Sequence, residues 1–228
     1  QPGCYRDVKD TTVTAQFDIL DARPEMQGHG KPVFLAWTTT PWTLPSNTAL
    51  CVGPKIDYVA VQCKNPYTEE DITAVMAEAR LSAYFKSEEE YTIVGRYKGS
   101  DLIGMHYRQL FPWVKPTDVE NGTFTIREAD AFRVIPGDYV TTEDGTGIVH
   151  IAPTFGADDA RVAREAGVPA LYVMDKAGDP RPMVDFTGKY FLPSDMDAAF
   201  YEACVSKAAY ALHEGAYVKN AYDPAKTG

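Results

Sequence analysis

A chain of 228 residues with 45% hydrophobic and 24% charged content has the makeup of one ordinary globular domain, long enough to bury a sizeable core. Its formal net charge of −10 argues against a protein that coats DNA or RNA in bulk, because neutralising many phosphates takes a surface excess of Lys and Arg. No apolar run approaches the roughly 20 residues of a membrane helix and no charged-then-apolar leader is present, so a cytoplasmic location off the membrane is expected.

Alternation at Val13, Ala15, Phe17 and Ile19 predicts a half-buried first strand, and the apolar run 33–37 a buried second. Strands over 49–52 and 58–61 follow across the breaker Gly53-Pro54, giving a four-stranded opening. Over 72–85 the period changes: Ile72, Val75, Met76, Ala79 and Tyr84 fall near one helical face. Short strands are expected at 91–97, 123–126, 131–135 and 147–151, with Asp144-Gly145 as a tight turn joining Tyr139-Val140 to Ile148-Val149. A helix should open near Gly156 to Asp158 and close at Gly167, ahead of Pro169. The last helix opens on Ser194 and Asp197 and carries Met196, Ala199, Phe200, Ala203, Cys204 and Ala211 at helical spacing as far as Gly215. The sum is a mixed α/β, β-rich chain with a barrel-like sheet core and peripheral helices, not a doubly wound sheet. Gly145-Thr146-Gly147 lacks the third glycine of a dinucleotide fingerprint. Residues 1–228 read as a single domain, with 217–228 as a flexible tail.

Two segments can carry chemistry. In Trp37-Thr38-Thr39-Thr40-Pro41-Trp42-Thr43-Leu44-Pro45-Ser46-Asn47 a buried strand runs into hydroxyls, prolines and tryptophans. Proline fixes φ at about −65° and removes a donor, so this backbone leaves its sheet at a defined place and presents hydroxyls and amides to a cavity. The plainer reading is a Thr-rich strand end with a Pro turn. The second segment is Gly145-Thr146-Gly147-Ile148-Val149-His150-Ile151-Ala152-Pro153-Thr154-Phe155-Gly156-Ala157-Asp158-Asp159. Alternation sets Val149 and Ile151 on one face and His150 on the other, where a histidine commonly serves as a hydrogen-bonded core residue. Asp158 and Asp159 open a helix, whose dipole favours acidic residues there and keeps a carboxylate ionised as a receptor for an ammonium.

Other chemistries fall away. His29, His106, His150 and His213 are scattered without metal-ligand spacing, so no metal is expected. Cys4, Cys51, Cys63 and Cys204 lack C-x-x-C spacing and any local signature of a nucleophile, and read as reduced thiols. No G-x-S-x-G elbow is present, which leaves water as the nucleophile if the chain is an enzyme.

Together the two segments resemble a known pair. Segment 37–47 resembles the W-T-T-T-P-W-T-L-P-x-N signature of isoleucyl-tRNA synthetases, and 145–159 resembles their G-T-G-x-V-H-x-A-P-x-[FH]-G-x-[DE]-D signature. Gly3-Cys4-Tyr5-Arg6-Asp7-Val8 resembles the start of the insertion that splits their aminoacylation domain. The sister enzymes for valine and leucine have T-T-R-P in place of Thr38-Thr39-Thr40-Pro41 and no histidine at the place of His150, which selects the isoleucine member. The resemblance runs essentially from end to end and implies the editing (CP1) domain, an insertion without its Rossmann catalytic core or anticodon-binding part. The start at Gln1 also fits an excised fragment.

What the resemblance implies is hydrolysis of valine mischarged to tRNA(Ile). One methylene in a hydrophobic pocket discriminates by only about 1–3 kcal/mol, a magnitude known from this enzyme family and not obtained from the chain, so a second, finer sieve admits valine and excludes isoleucine. By the same resemblance Thr38, Thr39 and Thr40 line the valyl ester and the terminal ribose. His150 walls the side-chain pocket, with a role as base left open. Trp42 and Thr43 shape the substrate side, Asn47 supports the loop, Phe155 contacts the terminal adenosine and Asp159 receives the α-ammonium. No cofactor is implied for this domain; ATP and Mg belong to the full-length enzyme only, with Zn left open. The implied partners are the valine-bearing 3′ end of tRNA(Ile) and the rest of the same synthetase chain, for a monomeric fragment. The alternative is a non-catalytic insertion that only docks the tRNA 3′ end. Under either reading the −10 charge excludes less, since a short single strand is met by a local groove, aromatic stacking and a few cations such as Arg6, Lys9 or Lys31. Weak tRNA binding by the isolated fragment follows. An insertion must also leave and re-enter its host on one side, so Gln1 and the region near Gly228 should be neighbours.

Overall fold

The structure, a computed structural model, describes residues 12–185 and 187–218. The expectations for Gly3 to Val8, Cys4, Lys9, the two chain ends and the tail from 219 onward lie outside these residues. In chain order the strands are β1 (Val13–Asp18), β2 (Lys31–Thr38), β3 (Ala49–Val52), β4 (Asp57–Lys64), β5 (Asp71–Ala77), β6 (Thr92–Lys98), β7 (Thr117–Glu120), β8 (Thr123–Ile126), β9 (Arg133–Pro136), β10 (Ile148–Ile151), β11 (Tyr172–Met174) and β12 (Pro180–Pro182). The α-helices are α1 (Leu81–Tyr84), α2 (Gly99–Leu102), α3 (Ala157–Glu165), α4 (Ala198–Cys204) and α5 (Lys207–Tyr210). A five-stranded sheet runs β1-β2-β5-β4-β6, a three-stranded sheet β10-β3-β9, and two ribbons pair β7 with β8 and β11 with β12. The mixed, strand-rich class is as expected. The sheets are open, however, and none closes into a barrel among the described residues.

Side-chain alternation sorts the central strands onto two apolar faces. Phe34, Ala36, Tyr58, Ala60, Val75 and Ala77 pack on one face with Phe17, Leu50 and Tyr107. Val33, Leu35, Val59, Val61, Ile72, Ala74 and Met76 pack on the other, beneath Leu81. This two-sided burial corrects the helix expected over 72–85: β5 lies between β2, parallel to it, and β4, antiparallel to it. A run buried on both faces has no polar side to betray its period, so spacing alone cannot tell it from a helix.

The four opening strands form as expected, and β3 leaves the first sheet to pair with β9 and β10. Two further expectations are corrected. Tyr139-Val140 is not a strand, and β10 pairs with β3 instead of across Asp144-Gly145. The long last helix is broken: Val205, extended at φ −102° and ψ 127°, bridges to Val114 and separates α4 from α5. Trp113 C=O accepts from Ser206 N–H there, and Cys204 C=O accepts from Lys115 N–H, so tertiary pairing replaces the helical ladder.

Asp197 does cap α4, accepting from Phe200 N–H at 2.9 Å. Replacing it with alanine is expected to cost about 1 kcal/mol in urea unfolding, and Asp197→Asn to recover most of it.

Candidate active site

The first signature segment leaves the sheet at Thr38, the last residue of β2, and turns through a 3-10 helix at Pro41–Ser46. Hydrogen bonds within the turn fix the threonines. Thr40 N–H donates to Thr38 Oγ1 at 3.0 Å, and Thr43 reaches back to Thr40 C=O with both its N–H, at 3.0 Å, and its hydroxyl, at 2.8 Å. The hydroxyls of Thr38 and Thr40, and of Thr40 and Thr43, sit 3.3 Å apart. Thr39 is exposed, and its hydroxyl has no hydrogen-bond partner among the described residues.

The second segment is anchored by its Gly-Thr-Gly opening, which is structural in origin. Thr146, 1% exposed, donates its hydroxyl to Leu35 C=O at 2.6 Å, while its own carbonyl accepts from Ala77 N–H at 2.8 Å. Gly147 has φ +76°, and a Cβ there would lie 2.5 Å from Ala77 Cβ, so only glycine lets the loop seat on β5. β10 then runs antiparallel to β3 with His150 opposite Leu50. Ile151, with Val149 partly, packs toward Val162 and Ala163 of α3, leaving His150 on the other face, as the alternation predicts. α3 opens on Gly156 and ends before Gly167 at φ +71°.

These two segments enclose a cleft of about 460 Å³. It brings together Thr38, Thr39, Thr40, Trp42, Thr43, His150, Phe155 and Asp159, and adds Trp37, Val149, Ala152 and Gly156 from the same two segments, beyond the residues that the signatures suggest. Asn47, 2% exposed, is not on the wall but behind it, bonded to His150. Asp158 is 92% exposed at its side chain and turns toward Arg161, so of the two acidic residues only Asp159 faces the cleft. Lys31, proposed as a cation for RNA, pairs with Asp18 at 2.9 Å.

Electrostatics distinguish the two titratable groups of the cleft. Burial pushes the Asp159 carboxyl above its ordinary range, against the hydrogen bond that its Oδ2 accepts from Ala152 N–H at 2.9 Å. Neighbouring Asp158 pushes the same way, and among the described residues no cation pairs with the Asp159 carboxylate. His150, 8% exposed, is pushed down by burial to about 4 and is neutral at pH 7. Its neighbours decide its tautomer. Asn47 Nδ2 donates to Ala49 C=O at 2.9 Å, which fixes the amide, and its second hydrogen faces His150 Nδ1 at 3.2 Å. Nδ1 is therefore the acceptor, and Nε2–H donates to Thr43 Oγ1 at 2.8 Å. Both ring nitrogens are committed inside the protein, which leaves no lone pair for a general base. The buried thiols are no rival nucleophiles, since desolvation raises Cys51, Cys63 and Cys204 to about 11 each.

No protein-family model matches the chain. An isoleucine–tRNA ligase of Bacteroides thetaiotaomicron is 60% identical to it over 98% of its length, and one of Porphyromonas gingivalis 54% identical over 100%. The chain belongs to the isoleucine–tRNA ligase family. It spans about a fifth of the length of these ligases, 21% and 20% respectively. Among solved structures, a leucyl-tRNA synthetase editing domain from P. knowlesi is 13% identical, with a TM-score of 0.49 over 68% of this chain and 62% of that one.

Proposed function

We propose that this part of the ligase hydrolyses the ester of valine mis-attached to tRNA(Ile) and spares isoleucine. The reading rests on one observation: hydroxyls of the Thr38 to Thr40 turn, the Asp159 carboxylate and a neutral His150 line a single cleft. Asp159 takes the α-ammonium, which supplies the cation that this desolvated carboxylate lacks. Thr39, with its uncommitted hydroxyl, meets the ester or the attacking water. Water adds to the acyl carbon, the bond to the ribose oxygen breaks, that oxygen takes up one of the water's protons, the other passes to solvent, and valine leaves as its carboxylate. An aminoacyl ester is already activated, so positioning and hydrogen bonds to the developing oxyanion carry the step, and no cofactor is needed. Trp42 and the His150 ring bound the side-chain pocket, and Phe155, 40% exposed at the rim, is placed to stack on a base.

The test is deacylation of Val-tRNA(Ile) and Ile-tRNA(Ile) by this chain, with tRNA in excess. Valyl ester is expected to be hydrolysed and isoleucyl ester to survive; equal rates for both sink the sieve. His150→Ala opens the pocket and is expected to raise hydrolysis of Ile-tRNA(Ile) relative to Val-tRNA(Ile) by about tenfold, the scale of one methylene in an apolar pocket. An unchanged ratio would remove His150 from the wall.

A further inference from the structure

Behind the cleft wall lies a residue that belongs to neither signature segment. Tyr107 is 1% exposed and donates its hydroxyl to Asn47 Oδ1 at 2.6 Å. Its ring is held edge-on by Phe17, at 5.2 Å between centroids, and by Phe132, at 6.2 Å. Its backbone N–H donates to Phe132 C=O at 2.9 Å, and Phe132 N–H in turn donates to Thr48 C=O at 2.7 Å, next to Asn47. Phe132 is itself strained, a bulky aromatic at φ +56°, a region that such residues rarely enter unless surrounding structure imposes it.

We propose that Tyr107 is a positioning residue that sets the pocket wall through Asn47: its hydroxyl holds the oxygen end of the amide whose nitrogen end is held by Ala49 C=O, the amide orients the His150 ring as its Nε2–H tautomer, and Nε2–H orients Thr43. The chain of bonds is continuous and one-directional. Tyr107 O–H gives to Asn47 Oδ1, Asn47 Nδ2–H gives to His150 Nδ1, His150 Nε2–H gives to Thr43 Oγ1, and Thr43 O–H gives to Thr40 C=O. Asn47 Nδ2 also meets Ala49 C=O at 2.9 Å and Ile151 C=O at 3.5 Å, so its amide is the shared node through which a change at Tyr107 reaches the threonine turn with no contact to a substrate. The role in selectivity rests on the function proposed above; the tautomer does not.

Tyr107→Phe removes one oxygen from a fully packed ring and separates the two. In the unsubstituted chain, 15N NMR of the histidine rings is expected to find His150 protonated at Nε2 and bare at Nδ1; protonation at Nδ1 would overturn the proposal even if no variant folds. In Tyr107→Phe the His150 signals are expected to move toward a mixture of tautomers. The preference for Val-tRNA(Ile) over Ile-tRNA(Ile) should fall by about three- to tenfold, the scale of one buried hydrogen bond, with the change in the isoleucyl rate exceeding that in the valyl rate. A folded variant with unaltered His150 signals and unaltered preference overturns it. If the unsubstituted chain hydrolyses neither ester, the function proposed above fails while the tautomer result still decides the role of Tyr107.

Discussion

Asp159→Asn is expected to slow deacylation of Val-tRNA(Ile) by about 10²–10³-fold, because a desolvated ion pair that loses one partner costs about 3–5 kcal/mol and this cleft is only partly closed to water. The substitution isolates charge. Asparagine keeps an oxygen to accept from Ala152 N–H, the 2.9 Å contact that ties α3 to the end of β10, so the loop geometry is retained. What goes is the negative charge facing the ammonium. The same charge predicts a pH signature: burial raises the carboxyl from 3.8 in the unliganded chain, so the acid limb of kcat/KM should lie above that value. Bound ammonium then favours the ionised form and draws the acid limb of kcat to lower pH. Single-turnover deacylation across pH checks both limbs, and full activity in Asp159→Asn would end the ammonium-receptor assignment.

The parts of the site legible in the sequence are those whose chemistry is local. Proline after a threonine run forces a turn at a known place, a glycine at φ +71° closes α3, and acidic residues at a helix start mark its first turn. Which acidic residue faces inward was a matter of one helical position, and only the packing of Val162 and Ala163 against Ile151 settles the rotation. The sequence could not separate β5 from a helix, because Ile72, Ala74 and Met76 serve one core while Val75 and Ala77 serve the other. Tyr107 carried no signal at all. It sits 60 positions from Asn47, and a tyrosine that supports a site looks, in sequence, like any core aromatic. Asn47 holds the histidine as well as the loop, a link that strand pairing between β3 and β10 creates and local sequence does not show.

Lowering the pH from 7 to about 4 is expected to cost this chain about 3 kcal/mol of folding stability through His150 alone. Buried and neutral, the ring titrates at about 4 in the folded chain against 6.5 for an ordinary histidine. Below 6.5 the unfolded chain binds a proton that the folded chain refuses, so stability is fully present above 6.5 and declines as pH falls, until the folded ring also takes up its proton near 4. At 1.36 kcal/mol per pH unit that interval gives the stated loss. Carboxylates add their own slopes, so the measurement is a difference: urea unfolding of the chain and of His150→Gln at pH 7 and near pH 4. The gap between the two slopes belongs to His150, and equal slopes would mean that the ring is not buried neutral. The same neutrality bears on catalysis. A histidine that stays uncharged well below pH 6, with Nδ1 held by Asn47 and Nε2–H by Thr43, neither repels the incoming ammonium nor takes a proton from water. Deacylation of Val-tRNA(Ile) should therefore show no histidine limb from about pH 6 to 8, where a histidine base of ordinary pKa would impose a change of about fourfold in rate.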